Sequence, residues 1–316
     1  MESIRISFKQ DVFGNDIFAR ITWIKNETRT AKPIALIYHG GGLMIGSSEI
    51  IPPPQVKWLA DHGFCIVIPN YRLAPQVNGN TIFGDVADAY DWASSRLVDI
   101  MQTEHGVTID GANITAMGHS SGGTLALHLA SCRPVKAVTA FYPSLYFADR
   151  TTSSHKIYNE PPFDNVPEFV PTEDDWNAIS PAGKQISESG LPVPGLPVPP
   201  RSKWQMHVST RGLWMKTLCP DGNYASIDPL TRLSADWPPV MFVTGEADVI
   251  PGSGLDLVQR AEKDMKAAGM KEIVVRVLPG AGHMFDLIKP LGSEDFGPEW
   301  QAVVEGLHFL ESHVKQ

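Results

Sequence analysis

Ser120 lies at the centre of Gly118-His119-Ser120-Ser121-Gly122 and is the first residue whose setting could do chemistry. Asn113-Ile114-Thr115-Ala116-Met117 before it is short and β-prone, and Gly123 to Ala130 after it is rich in helix formers. A serine on a sharp strand-to-helix turn, with glycines two residues to either side, presents its hydroxyl above a sheet as a nucleophile. A hydroxyl attacks poorly until a base takes its proton, and an imidazole base needs a carboxylate to fix its tautomer. Both partners follow along the chain. Glu246 and Asp248 come just after the strand-like Pro239–Thr244, and His283 comes just after the strand-like Ile273–Leu278. A lone loop acid or histidine would be an ordinary turn residue; the order serine, acid, histidine behind three strands predicts acyl transfer.

Acyl transfer also needs donors for the oxyanion that develops on the attacked carbonyl. His39-Gly40-Gly41-Gly42, at the end of the apolar run Pro33–Tyr38, offers backbone N–H groups in a loop without bulky side chains. A rival reading takes Gly40, Gly42 and Gly46 as a dinucleotide loop. That reading requires a helix starting within the motif and an acid ending the next strand. Instead, Pro52-Pro53-Pro54 is expected to interrupt the helix, and the strand Phe64–Ile68 ends in Pro69-Asn70.

The elements that must position these residues alternate along the chain. Residues 4–24 suggest an antiparallel hairpin around Gly14-Asn15, after which strands and helices take turns. This predicts an α/β fold with a mainly parallel central sheet flanked by helices. Val86, Ala89, Tyr90, Ala93, Leu97 and Ile100 predict one helix, with Asp85, Asp88 and Asp91 near its positive start. Leu255–Ala268 and Trp300–Val314 predict two more, stopped by Gly269 and entered by Pro298 respectively. Almost a hundred residues of different character separate the strands at 135–141 and 239–244. They hold Trp176, Trp204, Trp214 and the Pro-rich run Leu191–Pro200, read either as a stiff extended arm or as a plain surface loop. Residues 1–145 and 237–316 are therefore assigned to two parts of one catalytic α/β domain, and 146–236 to an inserted lid.

Taken together, the chain resembles the hormone-sensitive-lipase-like carboxylesterase branch of the α/β-hydrolase superfamily. The residues that carry the likeness are His39 to Gly42, Tyr71-Arg72-Leu73-Ala74-Pro75, Gly118 to Gly123, Asp228-Pro229-Leu230, Gly245 to Asp248 and Gly282-His283. The resemblance implies Ser120 as nucleophile, Asp248 as acid, His283 as base and the N–H groups of Gly41, Gly42 and Ser121 as the oxyanion hole. It gives His39 the task of bracing the glycine loop. The chain departs from the family in three places: His119-Ser120-Ser121 stands where Asp-Ser-Ala is commoner, Gln76 stands where Glu follows the proline, and strands come almost at once where a helical cap is usual.

The expected activity is a serine esterase acting through an acyl-enzyme on a small to medium apolar substrate, with no cofactor and no metal. The alternative keeps the triad for an amide, formamide, lactone or biosynthetic intermediate. A non-catalytic binding protein on this scaffold, like the plant gibberellin receptor, is disfavoured because such receptors have lost the histidine that His283 supplies. A net charge of −9 without a basic cluster disfavours nucleic acid. No apolar run is long enough to span a bilayer. Three scattered cysteines and an N-terminus with no apolar core behind a basic start fit a cytoplasmic protein. A homodimer is compatible with the sequence.

Overall fold

Alternate residues of the strand Lys32–Tyr38 (β3) enter opposite apolar clusters: Ile34, Leu36 and Tyr38 one, Ala35 and Ile37 the other. A strand buried on both faces needs cover on both. The computed structural model, which describes residues 1–25, 30–158, 163–193, 195–287 and 297–314, supplies that cover with helices on each side of an eight-stranded sheet. The strands are Glu2–Gln10 (β1), Asp16–Trp23 (β2), β3, Cys65–Pro69 (β4), Ile109–His119 (β5), Val138–Phe141 (β6), Val240–Gly245 (β7) and Ile273–Leu278 (β8). Their spatial order is β1-β2-β4-β3-β5-β6-β7-β8. The predicted opening hairpin is present, β1 and β2 being antiparallel to each other; β2 is also antiparallel to β4. Every other pairing is parallel.

Helices Gly79–Ala93 (α2), Arg96–His105 (α3), Ser121–Ala130 (α4) and Leu255–Ala267 (α8) feed the first cluster. Pro53–Asp61 (α1) and Pro298–Ser312 (α9) feed the second. As the three prolines led us to expect, no α-helix starts within the glycine motif; α1 begins only at Pro53, its first residue, where a missing N–H is no loss. The helix expected around Val86–Ile100 is two helices. Ser94 and Ser95 both donate hydroxyl hydrogen bonds to the Asp91 carbonyl, at 3.2 and 2.5 Å, and Ser95 leaves helical backbone (φ −130°, ψ −87°). Its start is also earlier than expected, at Asn78, whose side chain accepts from the Thr81 N–H. Asp85 therefore lies well inside α2. It is buried and accepts from the Arg72 guanidinium (2.6 and 2.8 Å) and from Lys9 (2.6 Å), tying helix, loop and first strand together.

Between β6 and β7 the chain forms Glu173–Ile179 (α5), Pro200–Thr210 (α6) and Trp214–Leu218 (α7). Within the Pro-rich run, Pro194 lies outside the described residues; the rest has no regular structure until Pro200 opens α6. Asp228 turns the chain back towards β7, accepting from the N–H groups of Leu230 (3.0 Å) and Ala148 (2.8 Å). Among the described residues no helix is long and apolar enough to cross a membrane.

Candidate active site

Four loops meet at the C-terminal ends of the parallel strands, where open α/β sheets bind ligands. The β5–α4 turn holds Ser120 at φ 56°, a backbone region that non-glycine residues occupy only under strain. The flanking glycines make the turn feasible. A Cβ on Gly118 would stand 2.1 Å from the Gly122 carbonyl oxygen, and one on Gly122 would stand 2.1 Å from that of Tyr38.

His283, after β8, reaches both partners. Its Nδ1 lies 2.7 Å from Asp248 Oδ2 and its Nε2 lies 2.9 Å from Ser120 Oγ. Because Nδ1 faces a carboxylate, it carries the ring proton, and Nε2 is then the acceptor for the serine hydroxyl. The Asp248 side chain is fully buried, and its Oδ1 accepts from the Ile250 N–H at 2.9 Å, so the carboxylate is fixed from behind. Of the two acids the sequence offered, Glu246 points elsewhere and accepts from the Gly280 N–H at 3.0 Å. Serine, histidine and aspartate thus form one hydrogen-bonded chain, the arrangement that lets a hydroxyl give up its proton.

The loop after β3 lies against the elbow: a Cβ on Gly40 would be 3.2 Å from that of Ser120. Gly41 (φ 110°) and Gly42 (φ 62°) adopt conformations suited to glycine. Among the described residues, the N–H groups of Gly41 and Gly42 donate no hydrogen bond to the protein. Ser121 is the first residue of α4, and its N–H is one of those a helix start leaves free. Three donors of the expected set are therefore available to a ligand oxygen. Non-glycine residues with positive φ gather around this place: Leu43, Ser120, Tyr142 and Met284.

His39 is buried, stacks on Tyr71 (centroids 4.2 Å apart) and donates from Nδ1 to the Gly40 carbonyl at 2.7 Å. Burial pushes its imidazole down to about 4, although the Gly40 hydrogen bond pulls the other way. His128 on α4 is also pushed down to about 4, by burial and then by Arg232 and Arg133. Both histidines return to about 6.5 in the unfolded chain. Between pH ~6.5 and ~4 the unfolded chain therefore binds more protons than the folded one, and stability falls as the solution is acidified. At about 1.4 kcal/mol per pH unit, each histidine contributes on the order of 3 kcal/mol above this window that is lost below it. Tm measured from pH 7 to pH 4.5 should drop steeply, and His128→Gln should flatten the curve; a Tm indifferent to pH across this range would contradict the assignment.

Sequence reasoning missed the support beneath the elbow. His119 Nε2 lies 2.9 Å from Gln55 Oε1 and 3.2 Å from Asp286 Oδ2. Asp286 also accepts from Gln55 Nε2 (2.7 Å) and from the Tyr142 hydroxyl (2.5 Å). Burial alone would raise the Asp286 carboxyl, but attraction to His119 and these hydrogen bonds outweigh it and hold it below its ordinary value. The Tyr142 ring meets His283 edge-on, with centroids 4.6 Å apart. Asp286 is only three residues past His283, yet it had no visible partner in the sequence because Gln55 and Tyr142 are far away along the chain.

Above Ser120 and His283 opens a cavity of about 990 Å³ with mostly apolar walls. Phe169, Leu191, Val198, Met206 and Trp214 of the segment between β6 and β7 face it, opposite Ile51 and Pro52. No group of His, Cys, Asp or Glu among the described residues could hold a metal ion.

Known proteins share this frame. A family model described as the alpha/beta hydrolase fold matches residues 35–176. The chain is 30% identical to the non-reducing polyketide synthase ausA of Penicillium brasilianum, over 95% of this chain and 14% of that protein. It is likewise 30% identical to the non-reducing polyketide synthase Preu6 of Preussia isomera, over 88% of this chain and 13% of that one. The chain thus spans only about a seventh of these relatives' length. Among solved structures, a Staphylococcus aureus Mu50 protein of unknown function superposes with a TM-score of 0.68 at 18% identity, covering 99% of both chains. Thermogutta terrifontis esterase 2, phosphonylated by sarin, superposes with a TM-score of 0.65 at 17% identity, covering 98% of this chain and 94% of that one. The strand order, the serine elbow and these matches agree with the hormone-sensitive-lipase-like resemblance, and the chain has the α/β-hydrolase fold.

Proposed function

We propose that this hydrolase is a serine esterase working through an acyl-enzyme, with Ser120 as nucleophile, His283 as base and Asp248 as its orienting acid. The observation that carries the reading is the unbroken chain of hydrogen bonds from Asp248 to His283 to Ser120, at 2.7 and 2.9 Å, opening into an apolar cavity. Ser120 Oγ attacks the ester carbonyl while its proton passes to His283 Nε2. The oxyanion is received by the N–H groups of Gly41, Gly42 and Ser121. His283 then protonates the leaving alcohol, and water, deprotonated by the same ring, releases the acid and restores the serine. Residues 146–236 act as a lid that supplies apolar walls and excludes water.

The walls carry few charges, so neutral acyl groups are favoured. A second reading concerns the bond to the acyl group. Two relatives at 30% identity are polyketide synthases, which suggests an acyl donor of polyketide kind, delivered as a thioester or a bulky aryl ester. The cavity is at the upper end of the range for small-molecule sites and has room for such a group. A panel of p-nitrophenyl esters from acetyl to palmitoyl, with an aryl ester and its N-acetylcysteamine thioester, tests both. Short to medium and aryl acyl groups should be turned over at least ~10-fold better in kcat/KM than palmitoyl. Turnover of emulsified long-chain lipid alone would refute the cavity argument, and a thioester preferred over the matching oxygen ester would favour the second reading.

A further inference from the structure

Five successive carbonyls of the glycine loop each have their own donor. Gly40 O accepts from His39 Nδ1 (2.7 Å), Gly41 O from the Met44 and Ile45 N–H groups (both 3.1 Å) and Leu43 O from the Ala74 N–H (3.0 Å). The other two donors come from the inserted segment. Trp214 Nε1–H donates to Gly42 O at 2.8 Å, and Arg201 Nε–H donates to Met44 O at 2.6 Å. Just beyond, Gly46 and Ser189 exchange backbone hydrogen bonds of 2.8 and 2.9 Å, again between loop and insertion.

Arg201 is 5% exposed, and its hydrogen-bond partners among the described residues are carbonyl oxygens and not carboxylates. Its guanidinium is spent mainly on backbone, donating to the Ala74 carbonyl (2.6 Å) and to that of Ile179, besides Met44, with a longer bond to Gln76 Oε1 (3.3 Å). Burial pushes it down to about 10. An arginine used this way is a rigid fork between three segments of chain. Trp214 is 4% exposed, with Phe147 packed edge-on against it (5.1 Å).

We infer that Trp214 and Arg201 are positioning residues for the oxyanion hole, so that the inserted segment is part of the catalytic loop's scaffold and not a cover that swings free of it. The inference rests on the esterase reading for its kinetic consequence. Fixing a carbonyl fixes the plane of its peptide. Rotation about Gly42 meets little steric resistance, and Leu43 sits at φ 63°, from which an ordinary residue relaxes when released. Without the indole N–H, the Gly42–Leu43 peptide can turn and Leu43 can leave its strained region. The Met44 N–H would then shift from Gly41 O, the bond that aims the N–H of Gly42 at the substrate.

The test is Trp214→Phe, which keeps an aromatic wall and removes the donor. For p-nitrophenyl butyrate, kcat should fall ~10- to 100-fold with KM within ~3-fold, because the lost interaction matters most in the transition state. Affinity for a boronic acid that becomes tetrahedral on Ser120 should fall in proportion, and amide exchange of the 40–46 peptide should quicken at least ~10-fold. Arg201→Lys, which keeps the charge but not the fork, should move the same quantities in the same direction. A Trp214→Phe protein with kcat within twofold of wild type, a loss confined to KM, or unchanged exchange at 40–46 overturns the inference. A wild type inert to all esters and to a fluorophosphonate would sink the esterase reading, and the exchange measurement would still decide the positioning.

Discussion

Ser120→Ala should lose ester hydrolysis down to background, a fall on the order of 10⁶-fold in kcat, while the protein stays folded. The expectation combines two properties of the same turn. Among the described residues, the hydroxyl is the group whose oxygen sits at hydrogen-bond distance from His283 Nε2, at 2.9 Å. The backbone that presents it is held independently of it: Ser120 N–H donates to the Phe141 carbonyl (2.9 Å), and the Ser120 carbonyl accepts from Gly123 N–H (2.9 Å). Alanine pays the same steric penalty at φ 56° as serine, so Tm should move by no more than a few degrees. Loss of labelling by a fluorophosphonate, read by intact-protein mass, separates a missing nucleophile from a damaged site. A folded alanine protein with full turnover ends the mechanism.

The second large effect is at Asp248. Asparagine has nearly the same shape and can still accept from the Ile250 N–H, so the loop should survive. Its amide cannot stabilise the imidazolium, and it can present N–H where the ring needs an acceptor, selecting the wrong tautomer. In serine hydrolases built on this logic the change costs about 10⁴-fold in kcat. Glu246→Gln should stay within a few-fold of wild type, since Glu246 meets the Gly280 backbone and not the ring. The reverse pattern, an inert Glu246→Gln and an active Asp248→Asn, would show that the loop rearranges in solution and that the acid has been misassigned.

The features that were legible in the sequence are those set by short stretches of chain. Gly118 and Gly122 flank Ser120 because a Cβ at either would strike a carbonyl 2.1 Å away, and such a constraint is written into adjacent letters. The acid and histidine were visible because each ends a β-prone run. The split at Ser94-Ser95 was masked by an apolar spacing that continues across it: Ala93 and Leu97 are both buried although a break lies between them. Asp85 misled for a related reason. An acid near the expected start of a helix suggests the dipole, and only the fold brings Arg72 and Lys9 to it. Trp214 and Arg201 reach loop carbonyls 172 and 157 residues away, and no local pattern announces a side chain that bonds to distant backbone.

The pair beneath the nucleophile has a consequence for how such sites drift over time. Related elbows more often place aspartate where this chain has His119, whose Nε2 lies 3.2 Å from Asp286 Oδ2, so an aspartate at 119 would bring a second buried carboxylate towards Asp286. Two carboxylates so close in a dry pocket would repel and force one to take up a proton. The histidine and Asp286 are therefore expected to be exchanged as a unit in descent: lineages that keep histidine before the serine should keep an acid three residues after the histidine corresponding to His283, and lineages with aspartate should have lost it. His119→Asp alone should fold poorly, and adding Asp286→His or Asp286→Asn should restore much of what was lost. The two glycines have no such escape, since no substitution elsewhere can make room for their Cβ without moving the main chain. The elbow can thus change its chemistry at one position by covariation while remaining immobile at two others.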